Sequence, residues 1–249
     1  MKFFAKIKQG FREIRQLPKG ERWSYFWDYY KWYIIVTALV IALLVQGIVG
    51  MVNQKETVFS GFVLTARIGV EDETFLERFY SLTGIDSKTQ QAAFYTDLIL
   101  TGESKKTDIT TIQRILASVS MQDGDLVIST GEGFHTCAYN TSRIFYDLRD
   151  FLDAETLEKL SDRLYYIDGA VQDELDKPVG EFVDPYAIQY PDPRKPETMK
   201  NPIPVGIDVS DRKDLMDAYY LKDTTAYLGI IINTPRQALC QQFIDYLFP

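Results

Sequence analysis

The sequence predicts an α/β domain carried behind a single membrane-spanning helix, and three observations lead there. The first is an uncharged run of 23 residues, Trp32 to Gln54, between Lys31 and Lys55. The second is a division of charge: residues 1–31 hold eight Lys/Arg against three Asp/Glu, leaving 19 against 32 for the rest of a 249-residue chain of net charge -8. The third is that strand-like and helix-like apolar patterns alternate beyond the run, which favours a sheet with some parallel connections.

As a helix rising 1.5 Å per residue, the uncharged run spans roughly 34 Å, slightly more than a hydrocarbon core of about 30 Å. A cleavable signal would have a shorter apolar region nearer the N-terminus and a small-residue cleavage site. The expectation is therefore an uncleaved signal-anchor in the cell membrane. Lys2, Lys6, Lys8, Arg12, Arg15, Lys19, Arg22 and Lys31 all precede the span, which puts the N-terminus in the cytoplasm and the C-terminal domain outside. Trp23, Trp27, Tyr29, Tyr30, Lys31, Trp32 and Tyr33 suit the bilayer interface, where a ring can bury its body and keep a polar edge wet. Upstream, Phe3, Phe4, Ile7, Phe11 and Ile14 recur at helical spacing among basic residues, as in a helix lying on an anionic leaflet. Three parts follow: a basic, aromatic arm (1–31), a transmembrane helix (32–54) and an extracytoplasmic α/β domain (55–249). The arm serves topology or docks a membrane partner. The acidic large domain disfavours nucleic acid.

Along that domain the patterns predict a strand over 58–68, helix 72–82, strand 91–100, helix 108–120, strand 125–129, a helix opening at Gly131 and a helix over 154–164. Caps are expected at Thr107-Asp108, at Asp153 and at Thr234, before Pro235. Seven prolines between Gly169 and Pro204 interrupt any long helix or central strand, so this stretch reads as an ordered excursion or crossover. Strand 204–209, helix 214–221, strand 226–232 and a last helix with Leu239, Phe243, Tyr246 and Leu247 on its apolar face complete the domain.

Chemistry-bearing motifs are sparse. His135 is the single histidine and has no partner that spacing identifies. No Gly-x-Ser-x-Gly elbow or His-Glu-x-x-His occurs, and two cysteines with one histidine make a zinc site improbable. Asp208, Asp211, Asp214 and Asp217 recur every third residue, but without a calcium-loop pattern they read as caps and solvated acids. Cys137 and Cys240 are either a disulfide or two buried thiols. No catalytic residue, metal site or cofactor is expected.

Two segments carry a resemblance. Asp125-Leu126-Val127-Ile128-Ser129-Thr130-Gly131-Glu132-Gly133-Phe134, followed by Phe145 to Leu152, resembles the strand, short helix and Leu-x-Asp/Phe-Leu segment of extracellular solute-binding proteins. Pro204 to Ile207, Tyr227 to Asn233 and Cys240 to Leu247 are similar to the return strand and terminal helix of the same type 2 periplasmic-binding-protein-like fold. The chain also resembles small single-pass proteins of Gram-positive bacteria with a Trp-Asp-Tyr-Tyr-Lys-Trp-Tyr segment, here Trp27 to Tyr33. The resemblance implies a reduced, solute-binding-protein-like α/β ectodomain acting as a membrane-anchored, non-enzymatic ligand-binding or sensing module. Its implied partners are the lipid bilayer, a small-molecule ligand and a membrane protein such as a transporter. The alternative is a structural or assembly subunit using a degenerate binding-protein fold for protein contacts.

The ligand positions it implies lie at the carboxyl end of the strand closing at Ser129. Ser129 and Thr130 offer hydroxyls, while Gly131 and Gly133 let helix N-terminal N–H groups approach an anion. Glu132 would instead select a cation or amine. The competing interpretation is a plain strand-to-helix turn with a cap.

Overall fold

The computed structural model describes residues 18, 20, 22–52, 54–69, 72–101, 106–140, 143–177, 188–221 and 224–249. They form two units, Met1–Gln54 and Lys55–Pro249. In the first, helix α1 (Arg22–Val52) contains an apolar stretch, Lys31–Gly50, long enough to cross a bilayer. That character is compatible with a membrane anchor and equally with a signal sequence. Trp27, Trp32 and Tyr33 are exposed on it, as is the aliphatic run from Ile34 to Val49. The side chains of Trp23, Tyr29 and Tyr30 and the amphipathic segment from Phe3 to Ile14 lie outside the described residues.

The second unit is mixed α/β. Strand β1 (Glu56–Val63) leads through α2 (Asp72–Thr83) to β2 (Gln90–Tyr95), then through α3 (Lys106–Met121) to β3 (Leu126–Thr130) and directly into α4 (Gly131–Asn140). Short helices α5 (Leu148–Phe151) and α6 (Ala154–Lys159) precede β4 (Leu164–Asp168) and α7 (Gly169–Leu175). The chain returns as β5 (Pro202–Asp208), α8 (Lys213–Ala218), β6 (Ala226–Ile230) and α9 (Gln237–Leu247). The sheet order is β2-β1-β3-β6-β5-β4: β1 runs parallel to β2 and β3, and the β3-β6, β6-β5 and β5-β4 pairs are antiparallel.

Both faces of the sheet are covered, so strand residues are apolar on both sides rather than alternating with polar ones. Phe59, Val63, Leu126, Ile128, Leu228 and Ile230 face Phe75 and Phe79 of α2, Leu215 of α8 and Phe243 of α9. On the other side Phe62, Leu64, Val127, Val205 and Tyr227 meet Ile115 of α3 and Phe134 of α4. Placing α2 and α3 on opposite faces follows from the order β2-β1-β3, because right-handed crossovers that run in opposite directions along a sheet wind onto opposite sides.

Several expectations change. The helix expected over 154–164 ends at Lys159, a 3₁₀ turn follows, and Leu164 to Asp168 forms a strand. Its Tyr165-Tyr166-Ile167 core favours extended backbone, and pairing with β5 outweighs the weaker helical periodicity. Strand β1 stops at Val63 and β2 at Tyr95, several residues before the expected ends at 68 and 100. Beyond them Thr65 takes a positive φ and exchanges hydrogen bonds with Leu100 through its hydroxyl. The proline-rich stretch contains α7, capped by Asp168, and part of β5; residues 178–187 lie outside the described set. Asp153 caps α6 as expected, accepting from Thr156 N–H at 2.8 Å. The Thr234 hydroxyl accepts from the Arg236 amide at 3.0 Å, as a cap before Pro235 would, although the regular helix begins only at Gln237 with no side-chain cap at Arg236.

Thr234 is also part of a buried network around Asp125, which is fully excluded from solvent. One carboxylate oxygen of Asp125 accepts from the Ser60 amide of β1 at 2.7 Å; the other accepts from the Thr234 hydroxyl and from Arg236 Nε at 2.8 Å. The Asp125 backbone bonds Ser60 O and receives Ile231 N–H, each at 2.9 Å.

A second constraint lies on the opposite face. The Phe134 ring stacks on Phe145 with centroids 5.0 Å apart and planes 8° from parallel, and it lies against β5 and β6 where both have glycine. A Cβ on Gly206 would sit 2.6 Å from Phe134 Cζ, and one on Gly229 would sit 2.7 Å from Phe145 Cδ1. A bulge at Val205, between the Tyr165/Gly206 and Tyr166/Pro204 pairs, turns both Val205 and Gly206 to this face.

Two stability predictions follow from these contacts. Asp125→Ala should lower unfolding free energy in urea by about 3 kcal/mol, because it leaves the buried Ser60 amide unpaired and strips the half-buried Arg236 guanidinium of its carboxylate. The double variant Asp125→Ala/Arg236→Met should recover part of that loss. Gly206→Ala should cost about 1–3 kcal/mol by overpacking against Phe134, a loss that the same titration in Phe134→Leu should find smaller.

Candidate ligand-binding cleft

Where β3 passes directly into α4, the second unit opens a cleft of about 660 Å³ lined by Thr101, Gly131, Glu132, His135, Thr136, Tyr165, Pro193, Thr225 and Tyr227. Its place follows from the topology. The helices after β1 and β3 leave toward opposite faces, which opens a crevice at the carboxyl ends of these strands. The antiparallel neighbour β6 begins at the same edge and contributes Tyr227.

The walls are fixed by hydrogen bonds that begin outside the cleft. Asp108, buried in the first turn of α3, accepts from the Thr101 amide at 3.1 Å and from the Thr101 hydroxyl at 3.1 and 3.3 Å. The Thr111 hydroxyl holds Ile99 O at 2.7 Å. Opposite, Asp168 caps α7 through Ala170 N–H and also accepts from the Lys200 and Asn201 amides, all at 3.0 Å. Burial alone would raise the Asp168 pKa, but these three backbone donors outweigh it and hold the carboxyl below its ordinary range. They tie down the far end of the 188–201 segment, while Tyr166 N–H holds Pro193 O at 2.9 Å.

The floor is aromatic. Phe134 meets Tyr165 at 5.0 Å and Tyr227 at 5.7 Å, and Tyr165 and Tyr227 lie 4.7 Å apart at 64°. His135 Nδ1 is 3.0 Å from Tyr165 Oη, and its ring meets Tyr190 edge-on at 4.8 Å and Tyr139 at 4.9 Å. Burial pushes the His135 pKa down, so the imidazole favours its neutral form. Burial raises the phenols of Tyr165 and Tyr227; for Tyr227 the nearby Asp208 carboxylate adds to the rise.

Of the residues implicated by sequence, Gly131 and Glu132 line the cleft. Ser129 is fully buried on β3 and its hydroxyl has no hydrogen-bond partner. Gly133 is also buried, and a Cβ there would fall 2.3 Å from Ser129 Oγ and 3.0 Å from Leu100 O, so this glycine serves close packing of α4 on the strand layer. Thr130 pairs with Ala226 at the strand end, half-buried. The Gly131 amide donates to Thr225 O at 2.9 Å. Sequence reasoning did not find Thr101, Tyr165, Pro193, Thr225 or Tyr227, which come from four separate segments. It assigned His135 no partner, because Tyr165 lies 30 residues away.

The other motifs have structural partners. Asp211 pairs with Arg163 at 2.8 Å and with Arg212, and these hydrogen bonds hold its pKa well below the usual carboxylate range. Asp208 accepts from the Ser210 amide at 3.0 Å and pairs with Arg194 at 3.3 Å; Asp214 pairs with Arg78. Cys137 and Cys240 are buried and not disulfide-bonded, one in each of the two cores on opposite faces of the sheet.

The His135 environment gives a pH test. An unfolded histidine titrates near 6.5, above the folded value, so the unfolded chain takes up the proton first as pH falls. The stability associated with neutral His135 is therefore complete above about pH 6.5 and declines as pH drops through that value toward the folded pKa. Melting temperatures measured from pH 7.5 to 5 should fall more steeply for wild type than for His135→Gln; parallel curves would place no proton-linked stability at this residue.

No protein-family model, curated protein or solved structure matches this chain.

Proposed function

We propose that this chain is a membrane-anchored, non-enzymatic binding or sensing module, inserted with its basic arm in the cytoplasm and its α/β domain outside, which holds a small-molecule ligand in the cleft at the carboxyl end of β3. The observation that carries the proposal is the cleft itself: a concave site of about 660 Å³ with aromatic walls and a few polar groups, at the switch point of a doubly covered sheet. The solute-binding-protein resemblance of the sequence points to the same reading. So does the burial of Ser129 beneath α4, since an acyl-transfer role requires a nucleophile within reach of substrate. A membrane protein partner, such as a transporter, would receive the signal or the ligand through the arm and anchor.

One observation favours a second reading, an assembly subunit. Ile68, Ile99, Ile109 and Tyr220 are all more than half exposed. All four belong to connections or first turns at the carboxyl edge of the parallel strands, the edge at which the cleft also opens.

A thermal-shift screen of the full chain in nanodiscs against amino acids, peptides, sugars, polyamines and phosphate separates these readings. A ligand present at about 100 times its Kd adds about 2.7 kcal/mol to the folded state and raises the melting temperature. The binding reading expects a saturable rise with one chemical class that Thr136→Trp, which fills the cleft from α4, abolishes. Silence across the screen overturns it in favour of the assembly subunit, whose partner crosslinking in membranes would then capture.

A further inference from the structure

Two hydroxyls of the cleft wall are already committed as donors. The Thr101 hydroxyl spends its proton on Asp108, and the Thr136 hydroxyl spends its own on Glu132 O at 3.0 Å. A hydroxyl so committed offers only lone pairs to a third group. The first amide of α4, at Gly131, donates to Thr225 O and is thus occupied. Glu132 carries the one carboxylate among the described lining residues, which include no lysine or arginine. It sits exposed in the first turn of α4, where an anion attracted by the helix dipole would meet its charge. The nearest basic group in sequence to Pro193 is Arg194, and it is engaged by Asp208 and by Asp162 O. Around this acceptor-rich wall lie the rings of Tyr165 and Tyr227, which carry negative electrostatic potential on their faces.

We infer that the cleft selects a small organic ammonium ion, a ligand that brings its own N–H donors and positive charge to Glu132, Thr101 and Thr136 against the tyrosine floor. The inference rests on the binding role proposed above and names its ligand class. Thr225 and Tyr227 can rotate their hydroxyls to accept as well, and a carboxylate or phosphate would meet the repelling charge of Glu132. A neutral polyol would satisfy some acceptors but gain nothing from Glu132. The charge therefore decides, and a carboxylate–ammonium hydrogen bond is roughly twice as strong as its neutral counterpart.

Three four-carbon compounds of similar length and different charge test this directly: putrescine, 1,4-butanediol and succinate. Each is titrated calorimetrically into the full chain in phosphatidylcholine nanodiscs, whose zwitterionic surface does not concentrate the diamine. The expected result is saturable putrescine binding at least about tenfold tighter than either analogue, and weakened about tenfold in Glu132→Gln. Because Glu132 is exposed and makes no side-chain bond, the variant should melt with wild type when unliganded, and Thr101→Val provides a second variant on the opposite wall. Butanediol or succinate binding as tightly as putrescine overturns the charge assignment while leaving the cleft a binding site. Putrescine binding unchanged in both variants places the diamine elsewhere and overturns the inference. Binding of none of the three up to about 10 mM overturns it as well, and the broader ligand screen then decides independently whether the cleft binds anything.

Discussion

The buried Asp125 carboxylate is the junction on which the sheet depends. It stands at the start of β3, between the parallel half built from β1, β2 and β3 and the antiparallel half built from β6, β5 and β4. Through Ser60 it fixes β1, through Ile231 the end of β6, and through Thr234 and Arg236 the entry to α9. An isolated carboxylate in this position would be costly, and its mutual attraction with one guanidinium need not repay the desolvation of both. The additional amide and hydroxyl donors satisfy the remaining lone pairs, and their geometry specifies which strand edges meet. The network acts as a register device between two half-sheets that share no hairpin.

With that junction set, the shape of the cleft follows from aromatic packing on bare backbone. Phe134 can lie flat against β5 and β6 only because Gly206 and Gly229 present no side chain to it, and Phe145 closes the stack from behind. Lowering Phe134 onto the sheet brings the next residue, His135, level with Tyr165 and leaves Glu132, one turn earlier, at the rim. Gly133 plays the matching role on the other side of the same turn by letting α4 settle over Ser129 and Leu100. Helix position, cleft depth and cleft polarity are thus consequences of three glycines and one aromatic pair.

The α/β class, the apolar helix and most of the element order were legible because each rests on local periodicity. The helix from Asp72 to Thr83 and the step from β3 into α4 at Gly131 fall within a residue of where apolar spacing and turn chemistry place them. What stayed hidden was non-local. Strand β4 was obscured because Leu157, Leu160 and Leu164 continue a helical spacing that only pairing with β5 overrides. Thr234 before Pro235 has the local signature of a helix cap and accepts from the Arg236 amide, but its hydroxyl proton goes to a carboxylate 109 residues away, which no local pattern shows. The cleft was half-legible in the same sense: Gly131 and Glu132 follow from the strand-to-helix turn, whereas Tyr165 and Tyr227 arrive through sheet order, which no single segment encodes. The finer family resemblance has no match among known structures to support it.

The division of charge acquires a physical sense once the domain is folded. Some of its acidic residues form surface ion pairs, Arg163 with Asp211, Arg114 with Asp97 and Arg143 with Asp173 and Asp176, each worth little to stability because the partners are solvated. Arginines consumed in such pairs contribute little positive field. The net charge of residues 32–249 stays negative, which favours the approach of small cations over anions. At the opposite end of the chain, the basic arm is suited to an anionic leaflet. In the proposed arrangement the two ends select opposite charges for one purpose: the arm holds the chain to lipid, and the domain gathers cationic solute. The chain enters the domain at the amino end of β1 while the cleft lies at the carboxyl end of the same parallel layer, about 25 Å of strand away.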